Sequence, residues 1–319
     1  MEALFGALPI LLLLLFIFSR QLSAQQRHRE LSDAFSKLQR KRKSRVIAVV
    51  HRQEPMGLLG VPMLRFIDLN DAEDILEAIR NTPDNKPLEF ILHTPGGLML
   101  PALQIARAIK AHPAKTTVFV PHYAMSGGTL IAMSADEIVL SQHAVLGPID
   151  PQIGGLPAAS VVRVAQEKPI QATEDYTLIL ADVGAMAIRQ LQDAAQELLT
   201  GTVSPNAAIA IAEQLTSGRW THDHPITFAQ ARELGFNVTQ DMPKEILGLM
   251  ALFPDTIRRQ RNVSYVADKI KAKTSPEPQQ PPKVTMSGFE PIPGARSFSY
   301  GPWNPKDIQQ QRPFNRDRD

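Results

Sequence analysis

The sequence predicts an α/β fold built on a largely parallel sheet, and three observations favour it. Residues 88–93 (LEFILH) and 116–121 (TTVFVP) form short apolar runs of the kind that buried parallel strands show. The segment between them carries apolar residues at a helical spacing: Leu100, Leu103, Ile105, Ala106 and Ile109. Each run is followed by a glycine-rich turn, TPGG or AMSGG. Together these features predict one strand–helix–strand unit around which the chain is organised.

Further strands and helices alternate on both sides of this unit. Residues 45–51 and 137–140 are rich in β-branched residues and predict two more strands. Asn70 or Asp71 is expected to cap a helix whose inner face carries Ile75, Leu76 and Ile79. Later helices are predicted over residues 129–135, 158–168, 175–199, 206–215 and 227–234, with Gly218 and Gly235 as C-cap glycines for the last two.

Composition sets the limits on size and chemistry. The chain has 319 residues, of which 44% are hydrophobic, and a net charge of +2. This length suits one core of about 200 residues with attached segments. The sequence contains no cysteine, which excludes a disulfide framework, a thiolate nucleophile and a cysteine-ligated metal.

The N-terminal segment predicts a membrane anchor. Residues 3–18 are apolar and uncharged, and a helix of this length would span about 24 Å of a hydrocarbon core about 30 Å thick. A cleaved signal peptide is the alternative, but Glu2 is the only charged residue before Arg20 and Leu22-Ser23-Ala24 is a poor cleavage site. We therefore expect an uncleaved anchor over residues 1–20.

A basic segment over residues 21–44 follows the apolar one. Lysine and arginine outnumber acidic residues in it, which predicts that this flank and the globular domain are cytoplasmic. The same charges would suit anionic headgroups. Nucleic-acid binding is the other use of a basic run, but the small net charge argues against it.

The C-terminal part differs in composition from the rest. From Thr274 onward prolines interrupt any helical or strand period, which predicts disorder. We expect a globular domain over residues 45–252, followed by a helical extension and this tail over residues 253–319.

Ser126 lies where a serine nucleophile is chemically useful. At a strand-to-helix turn its hydroxyl projects from the sheet edge, and the following N–H, that of Gly127, points at the group under attack. Gly96 or Gly97 of the first turn would supply a second donor, because glycine lets the backbone approach a bound carbonyl. Without more information, two ordinary glycine-rich turns remain the alternative.

Several motifs in order make the chain resemble a known family. TPGG, AMSGG, LGPIDPQIGG, EKPI and LTSGRWTHDHPIT are similar to segments of the serine dehydrogenase proteinases, relatives of signal peptide peptidase A and the Clp proteolytic subunit. The resemblance covers roughly residues 45–250. It implies the ClpP/crotonase-like fold of repeated ββα units, a membrane-anchored serine endopeptidase and homo-oligomers. It further implies Ser126 as the nucleophile, Gly97 and Gly127 as oxyanion donors, and Gly96, Met125 and Gly128 as substrate-binding residues.

The general base is the second catalytic residue to identify. Lys168 is the only lysine between residues 116 and 243 and ends an apolar helix, so burial could lower its pKa. The number of residues between Ser126 and Lys168 resembles the spacing of the Ser–Lys dyad in relatives of signal peptide peptidase A. The resemblance therefore implies Lys168 as base. A surface lysine at a helix end is the structural alternative. His143, oriented by Asp150 or Asp182, is the competing base.

Other histidines have weaker functional interpretations. His93 and His122 lie next to the two turns and could line a cleft. His222-Asp223-His224 suggests a metal site, since two histidines two residues apart share a strand face, but no third ligand is evident. We expect no metal and no cofactor.

Two other functions stay open at this point. An acyl-coenzyme A enzyme of the crotonase fold would use two backbone N–H donors without the serine or the lysine. A membrane scaffold could keep the fold without activity. For a peptidase the expected partners are a peptide substrate, the membrane and further copies of the chain.

Overall fold

The computed structural model describes residues 18, 25–26, 29–51, 53–56 and 61–253, and over 53–56 and 61–64 it describes the backbone alone. The strands are β1 Arg45–Val50, β2 Gln53–Met56, β3 Val61–Leu64, β4 Leu88–His93, β5 Thr116–Val120, β6 Tyr123–Ala124, β7 Glu137–Leu140, β8 Val145–Leu146, β9 Gln152–Ile153, β10 Leu156–Pro157 and β11 Val238–Thr239. The helices are α1 (residues 29–42), α2 Leu69–Arg80, α3 Met99–Ala111, α4 Gly127–Ala132, α5 Ala158–Glu167, α6 Asp175–Leu199, α7 Pro205–Thr216, α8 Phe228–Leu234 and α9 Lys244–Leu252.

A five-stranded parallel sheet forms the centre of the domain. Its strand order is β1-β4-β5-β7-β11, and each neighbouring pair is parallel. Every residue of β5 is buried, and β4 is buried except at its last residue, as expected for central strands covered on both faces. The predicted α/β fold with a largely parallel sheet is therefore confirmed.

One face of the sheet packs against most of the helices. Phe90 and Leu92 of β4 point to this face and join a buried cluster that includes Ile105 and Ile109 of α3. Leu100, which the sequence pattern places on the same stripe, is 60% exposed. The inner face of α3 instead follows the buried series Ala102, Ile105, Ala106 and Ile109, and Leu100, in the first turn, lies on the opposite side.

The other face packs against α1 and α9. Ile91 and Phe119, which alternate with the residues of the first face, contact a second buried cluster with Leu38 of α1 and Leu249 of α9. In α1, the Arg42 guanidinium donates to both carboxylate oxygens of Glu89 at 2.8 and 2.6 Å. Part of the basic segment thus stabilises the fold.

Helix ends agree with the sequence in part. Asp68, rather than Asn70 or Asp71, is the N-cap of α2, and Asp71 is its partner in a capping box. Gly235 ends α8 in the left-handed region, as predicted. Gly218 lies beyond the C-cap of α7, which is Ser217.

Two expectations fall on other parts of the chain. The predicted anchor, apart from Phe18, and the tail from Thr274 lie outside the described residues. Among the residues that the structure does describe, no helix combines the length and apolarity needed to cross a bilayer.

Candidate active site

The two glycine-rich turns lie side by side at the C-terminal edge of the sheet. Thr94, which follows β4, forms a parallel bridge with Ala124 of β6. The Thr94 amide donates to the Tyr123 carbonyl at 3.2 Å, and the Met125 amide donates to the Thr94 carbonyl at 3.0 Å. These bonds join the TPGG turn to the MSGG turn.

Ser126 occupies a strained turn between β6 and α4. Its φ of 50° and ψ of −118° put a non-glycine residue in a sparsely populated region. The side chain is half-buried at the start of α4, whose first residues, Gly127 and Gly128, are buried. This is the backbone arrangement that presents a serine hydroxyl above a sheet edge.

The glycines next to Ser126 are required by close packing. A Cβ on Gly96, whose φ is 104°, would lie 2.6 Å from the Met125 carbonyl oxygen and 2.8 Å from the Ser126 Cβ. A Cβ on Gly97 would collide with the backbone of Ile67. A Cβ on Gly127 would lie 3.4 Å from the Gly97 amide nitrogen, so the two predicted oxyanion donors are neighbours.

Ser126 borders a cavity of about 410 Å³. Gly97 lies on its wall, together with polar residues from the LGPIDPQ segment and the loop that follows α7. The lining residues are Gly97, Leu98, Met99, Leu103, Ser126, Ile149, Asp150, Pro151, Gln152, Ile153, Ala187, Gln190, Leu191 and His222. A largely apolar wall with a few convergent polar groups is typical of a ligand site.

Asp150 and His222 form a hydrogen-bonded pair in this cavity. His222 Nδ1 lies 2.8 Å from Asp150 Oδ1, and the Asp150 side chain is only 2% exposed. Gln152 Nε2 donates to the other carboxylate oxygen of Asp150 at 2.6 Å. Since Nδ1 donates to the carboxylate, the neutral imidazole keeps its Nε2 lone pair for another partner.

The pair also changes the acidity of the imidazole. The hydrogen bond to Asp150 raises the pKa of His222 above its ordinary value, against the opposing effect of burial, and the Asp150 charge adds to the rise. A raised pKa makes the imidazole a stronger base towards the serine proton.

Backbone pairing fixes both segments of this site. The Ile149 amide donates to the Leu215 carbonyl of α7 at 3.0 Å, next to Asp150. Ile226, four residues beyond His222, exchanges two backbone hydrogen bonds with Leu146 of β8, at 3.0 and 2.9 Å. The loop carrying His222 is thereby held near the LGPIDPQ segment.

The other predicted bases do not line this cavity. Lys168 is exposed at the C-cap of α5, and its amide donates to the Val164 carbonyl at 3.1 Å. His143 is exposed in the turn between β7 and β8, and Asp182 is exposed on α6. Neither Lys168 nor either of these two residues is among the residues on the cavity wall.

The remaining predicted site residues are distributed over several places. Met125 is half-buried with its thioether against Gly147, and Gly128 is buried against Thr94. The His93 ring lies 5.3 Å from that of His122, and neither residue is among those that line the cavity. His224 stacks on Trp220 at 5.2 Å while His222 binds Asp150, so the two histidines do not share a site. Within the described residues, no three histidine or acidic side chains are grouped as for a metal.

The sequence indicates Asp150 and His222 only separately and in other roles, Asp150 as an orienter for His143 and His222 as a metal ligand. The pair connects segments 72 positions apart, so no local periodicity reports it. The available signal is the order of the motifs, since a serine, an aspartate and a histidine each lie within one of the family-like segments.

A strained serine next to two adjacent backbone amides, with a carboxylate-held imidazole on the same cavity wall, is the arrangement expected of a hydrolase that uses serine as nucleophile. The model of the ClpP-like SDH-type serine proteinase family matches residues 1–280. The chain therefore belongs to this family and is a serine peptidase. This confirms the resemblance drawn from the motifs.

Individual relatives are also similar to the chain. Two uncharacterised proteins of Methanocaldococcus jannaschii are similar over most of their length. One is 45% identical over 275 residues, which is 85% of this chain and 96% of the relative. The other is 43% identical over 266 residues, which is 83% and 90% of the two chains.

Two solved structures show weaker similarity. A mutant of the membrane-bound stomatin-specific protease 1510-N is 19% identical with a TM-score of 0.38, covering 57% of this chain and 79% of its own. ClpP1 from Listeria monocytogenes is 14% identical with a TM-score of 0.40, covering 64% and 96%.

Proposed function

We propose that this chain is a serine endopeptidase in which Ser126 is the nucleophile and His222, oriented by Asp150, is the general base. The observation that carries the proposal is the shared cavity: Ser126, Asp150 and His222 all line it, and His222 Nδ1 lies 2.8 Å from Asp150 Oδ1. A weak hydroxyl nucleophile needs a base held in the correct tautomer, and this pair supplies one.

In the acylation step, the Ser126 hydroxyl attacks the carbonyl carbon of the scissile peptide bond. Its proton passes to His222 Nε2 as the new C–O bond forms, and Asp150 stabilises the resulting imidazolium. The imidazolium then gives this proton to the leaving amine as the C–N bond breaks. In deacylation a water molecule repeats the attack, and Ser126 recovers its proton.

Gly97 and Gly127 N–H groups bind the oxyanion in both steps. They belong to adjacent turns, as the short distance between the Gly127 Cβ position and the Gly97 nitrogen indicates. Removing one such donor typically costs about 3 kcal/mol of transition-state stabilisation. The substrate extends beside the Gly96–Gly97 turn, with Gly96, Met125 and Gly128 shaping the adjacent backbone.

Lys168 is the alternative general base in the same reaction, as the resemblance implies. In that form of the proposal Ser126 and Lys168 form a dyad, and the Asp150–His222 pair has a structural role. Lys168 is exposed and does not line the cavity that Ser126 borders, so the geometry favours His222.

A fluorophosphonate probe tests the proposal. It should label the wild-type protein at Ser126 and leave Ser126→Ala unlabelled, while Ser217→Ala, at an exposed helix cap, should label normally. Labelling of Ser126→Ala would contradict the assignment. Coenzyme A binding without any labelling would favour the acyl-coenzyme A alternative. Absence of both labelling and coenzyme A binding would favour a scaffold.

Membrane anchoring and a cytoplasmic domain belong to the same proposal. They rest on the apolar residues 3–18 and the basic flank that follows. Protease added to intact spheroplasts should leave the domain uncut, and digestion from outside would reverse the topology. Carbonate washing of membranes should leave the full chain in the pellet, and its release would argue against an anchor.

Self-association is the last part of the proposal. Tyr176, Ile179 and Val183 form an exposed apolar stripe on α6, with exposures of 65%, 61% and 41%. Such a stripe suits contact with a second copy of the chain. Light scattering of the detergent-solubilised protein should give a mass of several copies, which Ile179→Asp should reduce. A monomeric wild-type mass would contradict this part.

A further inference from the structure

A chain of three hydrogen-bonded polar side chains, two of them buried and the third, Asp71, partly exposed, lies behind the Gly96–Gly97 turn. His51 follows β1 and is 6% exposed, and Thr94 follows β4 and is fully buried. His51 Nδ1 lies 2.8 Å from Thr94 Oγ1, and His51 Nε2 lies 3.3 Å from Asp71 Oδ2. The Gly96 amide donates to Thr94 Oγ1 at 3.2 Å. The reaction proposed above uses none of these three side chains.

Hydrogen-bond accounting gives the chain one direction. Gly96 N–H donates to Thr94 Oγ1, so the threonine hydroxyl is free to donate its own proton to His51 Nδ1. His51 is then the tautomer with its proton on Nε2, which donates to the Asp71 carboxylate. Every donor in the series has an acceptor when the imidazole is neutral. A protonated imidazole would donate to Thr94 and turn its hydroxyl towards the Gly96 carbonyl, which is 3.4 Å away.

The surroundings of His51 favour the neutral ring. Burial lowers the pKa of His51, and the charge of Asp71 opposes this effect in part. Arg65 acts in the same direction as burial, and Asp68 acts with Asp71. Among the residues whose side chains the structure describes, these are the charged groups that act on the pKa of the ring.

Thr94 contacts both glycine-rich turns. Its hydroxyl holds the Gly96 amide, and its methyl group Cγ2 lies against Gly128, where an added Cβ would be 2.7 Å away. The Gly96 carbonyl accepts from the Ile67 amide at 2.7 Å. Both backbone groups of Gly96 are therefore fixed. Because the Gly96 carbonyl and the Gly97 N–H belong to one planar peptide group, the direction of the Gly97 N–H is fixed as well.

We propose that the Asp71–His51–Thr94 chain is a positioning device that holds the Gly97 N–H in the direction needed to bind the oxyanion. This inference rests on the proposed function, because it assigns the Gly97 amide the role of oxyanion donor. The chain touches no reacting atom, so its residues are positioning residues. A donor that points elsewhere loses most of its effect in the transition state, whereas it contributes little to ground-state binding.

Two substitutions at Thr94 separate the hydroxyl from the methyl group. Thr94→Val keeps the β-branched shape against Gly128 and removes the hydroxyl, while Thr94→Ser keeps the hydroxyl. On one peptide substrate, Thr94→Val should lower kcat by about ten- to a hundredfold with KM within about twofold of wild type. Thr94→Ser should restore kcat to within about threefold of the wild-type value.

Thr116→Val is the matched control for loss of a buried hydroxyl. Thr116 is 2% exposed at the opposite end of β5, and its hydroxyl exchanges hydrogen bonds with Asp136 at 3.0 Å. Thr116→Val should lower the midpoint of thermal unfolding much as Thr94→Val does, and it should leave kcat unchanged. This comparison distinguishes a positioning role from a general loss of stability.

A second pair of variants decides the matter if Thr94→Val does not fold. His51→Leu removes both hydrogen bonds of the imidazole, while His51→Asn offers an oxygen close to the Nδ1 position. His51→Leu should lower kcat as Thr94→Val does, and His51→Asn should recover part of it.

The outcomes separate this inference from the function on which it rests. If the wild type hydrolyses the peptide and Thr94→Val matches it in kcat, or loses as much as the control does, the positioning role is wrong and the peptidase assignment stands. If the wild type neither hydrolyses peptides nor takes up the fluorophosphonate probe, the proposed function fails and this inference fails with it.

Discussion

His222 Nδ1 lies 2.8 Å from Asp150 Oδ1 on the wall of the cavity that Ser126 borders. The carboxylate is 2% exposed and the imidazole 36% exposed, so the pair has one buried anchor and one end that faces the cavity. This relationship lets the ring accept a proton at Nε2 while its orientation stays fixed. It also makes Asp150 the residue whose charge matters most to the proposed base.

Replacing Asp150 by asparagine should remove most of the activity without unfolding the domain. The new amide could still contact His222, but it would favour the tautomer with the proton on Nε2, which cannot accept the serine proton. A loss of kcat of roughly 10⁴ is the expected size of such an effect. Asp223→Asn, which removes an exposed carboxylate next to His222, should keep kcat within a few-fold. Equal kcat in wild type and Asp150→Asn would contradict the role of Asp150.

Activity should rise with pH as His222 loses its proton. The hydrogen bond to Asp150 raises the pKa of His222, so the midpoint of kcat/KM against pH should lie above the ordinary value of about 6.5. Gln152→Leu removes a donor to the Asp150 carboxylate but keeps the charge, so the midpoint should move little. A wild-type midpoint below about 6.5 would be incompatible with this base.

The sequence predicts elements best where the signal is contained in a short continuous segment. The buried strands β4 and β5 are continuous apolar runs, and the turn that carries Ser126 has its own glycine signature. In contrast, the many charges around Leu31, Phe35 and Leu38 hide the apolar stripe with which α1 covers the sheet. The predicted cap of α2 is wrong because three polar residues, Asp68, Asn70 and Asp71, compete within four positions.

The residues of the candidate site also differ in how far the sequence predicts them. Ser126 and its neighbouring glycines belong to short motifs, so their chemistry is visible in the sequence. The Asp150–His222 contact depends on how α7 and β8 bring two distant loops together, through Leu215 and the Leu146–Ile226 pairing. Pairing of that kind is a tertiary property, and no local pattern in a single sequence reports it.

Gly97 should tolerate no side chain. An alanine Cβ would collide with the Ile67 backbone, which cannot move without disturbing the turn, so Gly97→Ala should lower the free energy of unfolding by about 1–3 kcal/mol or more. The matched control is Gly248→Ala in α9, where a Cβ meets nothing within 4 Å. That change should raise stability by about 0.5–1 kcal/mol. Urea unfolding of both variants checks this, and a neutral Gly97→Ala would contradict the close packing of the turn.

The docking of α1 should depend on Arg42. Its guanidinium pairs with Glu89, whose side chain is 9% exposed, so Arg42→Ala leaves a buried carboxylate short of its main partner. The expected cost is about 3 kcal/mol of unfolding free energy. Lys41→Ala, also in α1, removes an exposed ion pair with Glu245 of α9 and should cost no more than about 1 kcal/mol. Equal effects of the two variants in urea unfolding would show that the buried pair is unimportant.

The most direct test of the proposed catalytic base is kcat/KM for His222→Ala and Lys168→Arg on one peptide substrate, beside the wild type. Lys168→Arg keeps the positive charge but cannot act as a base, so it isolates the dyad form of the reaction. We predict that His222→Ala loses about 10²–10⁴ in kcat/KM and that Lys168→Arg stays within a few-fold of wild type. Normal hydrolysis by His222→Ala together with an inactive Lys168→Arg would contradict this prediction and establish Lys168 as the base.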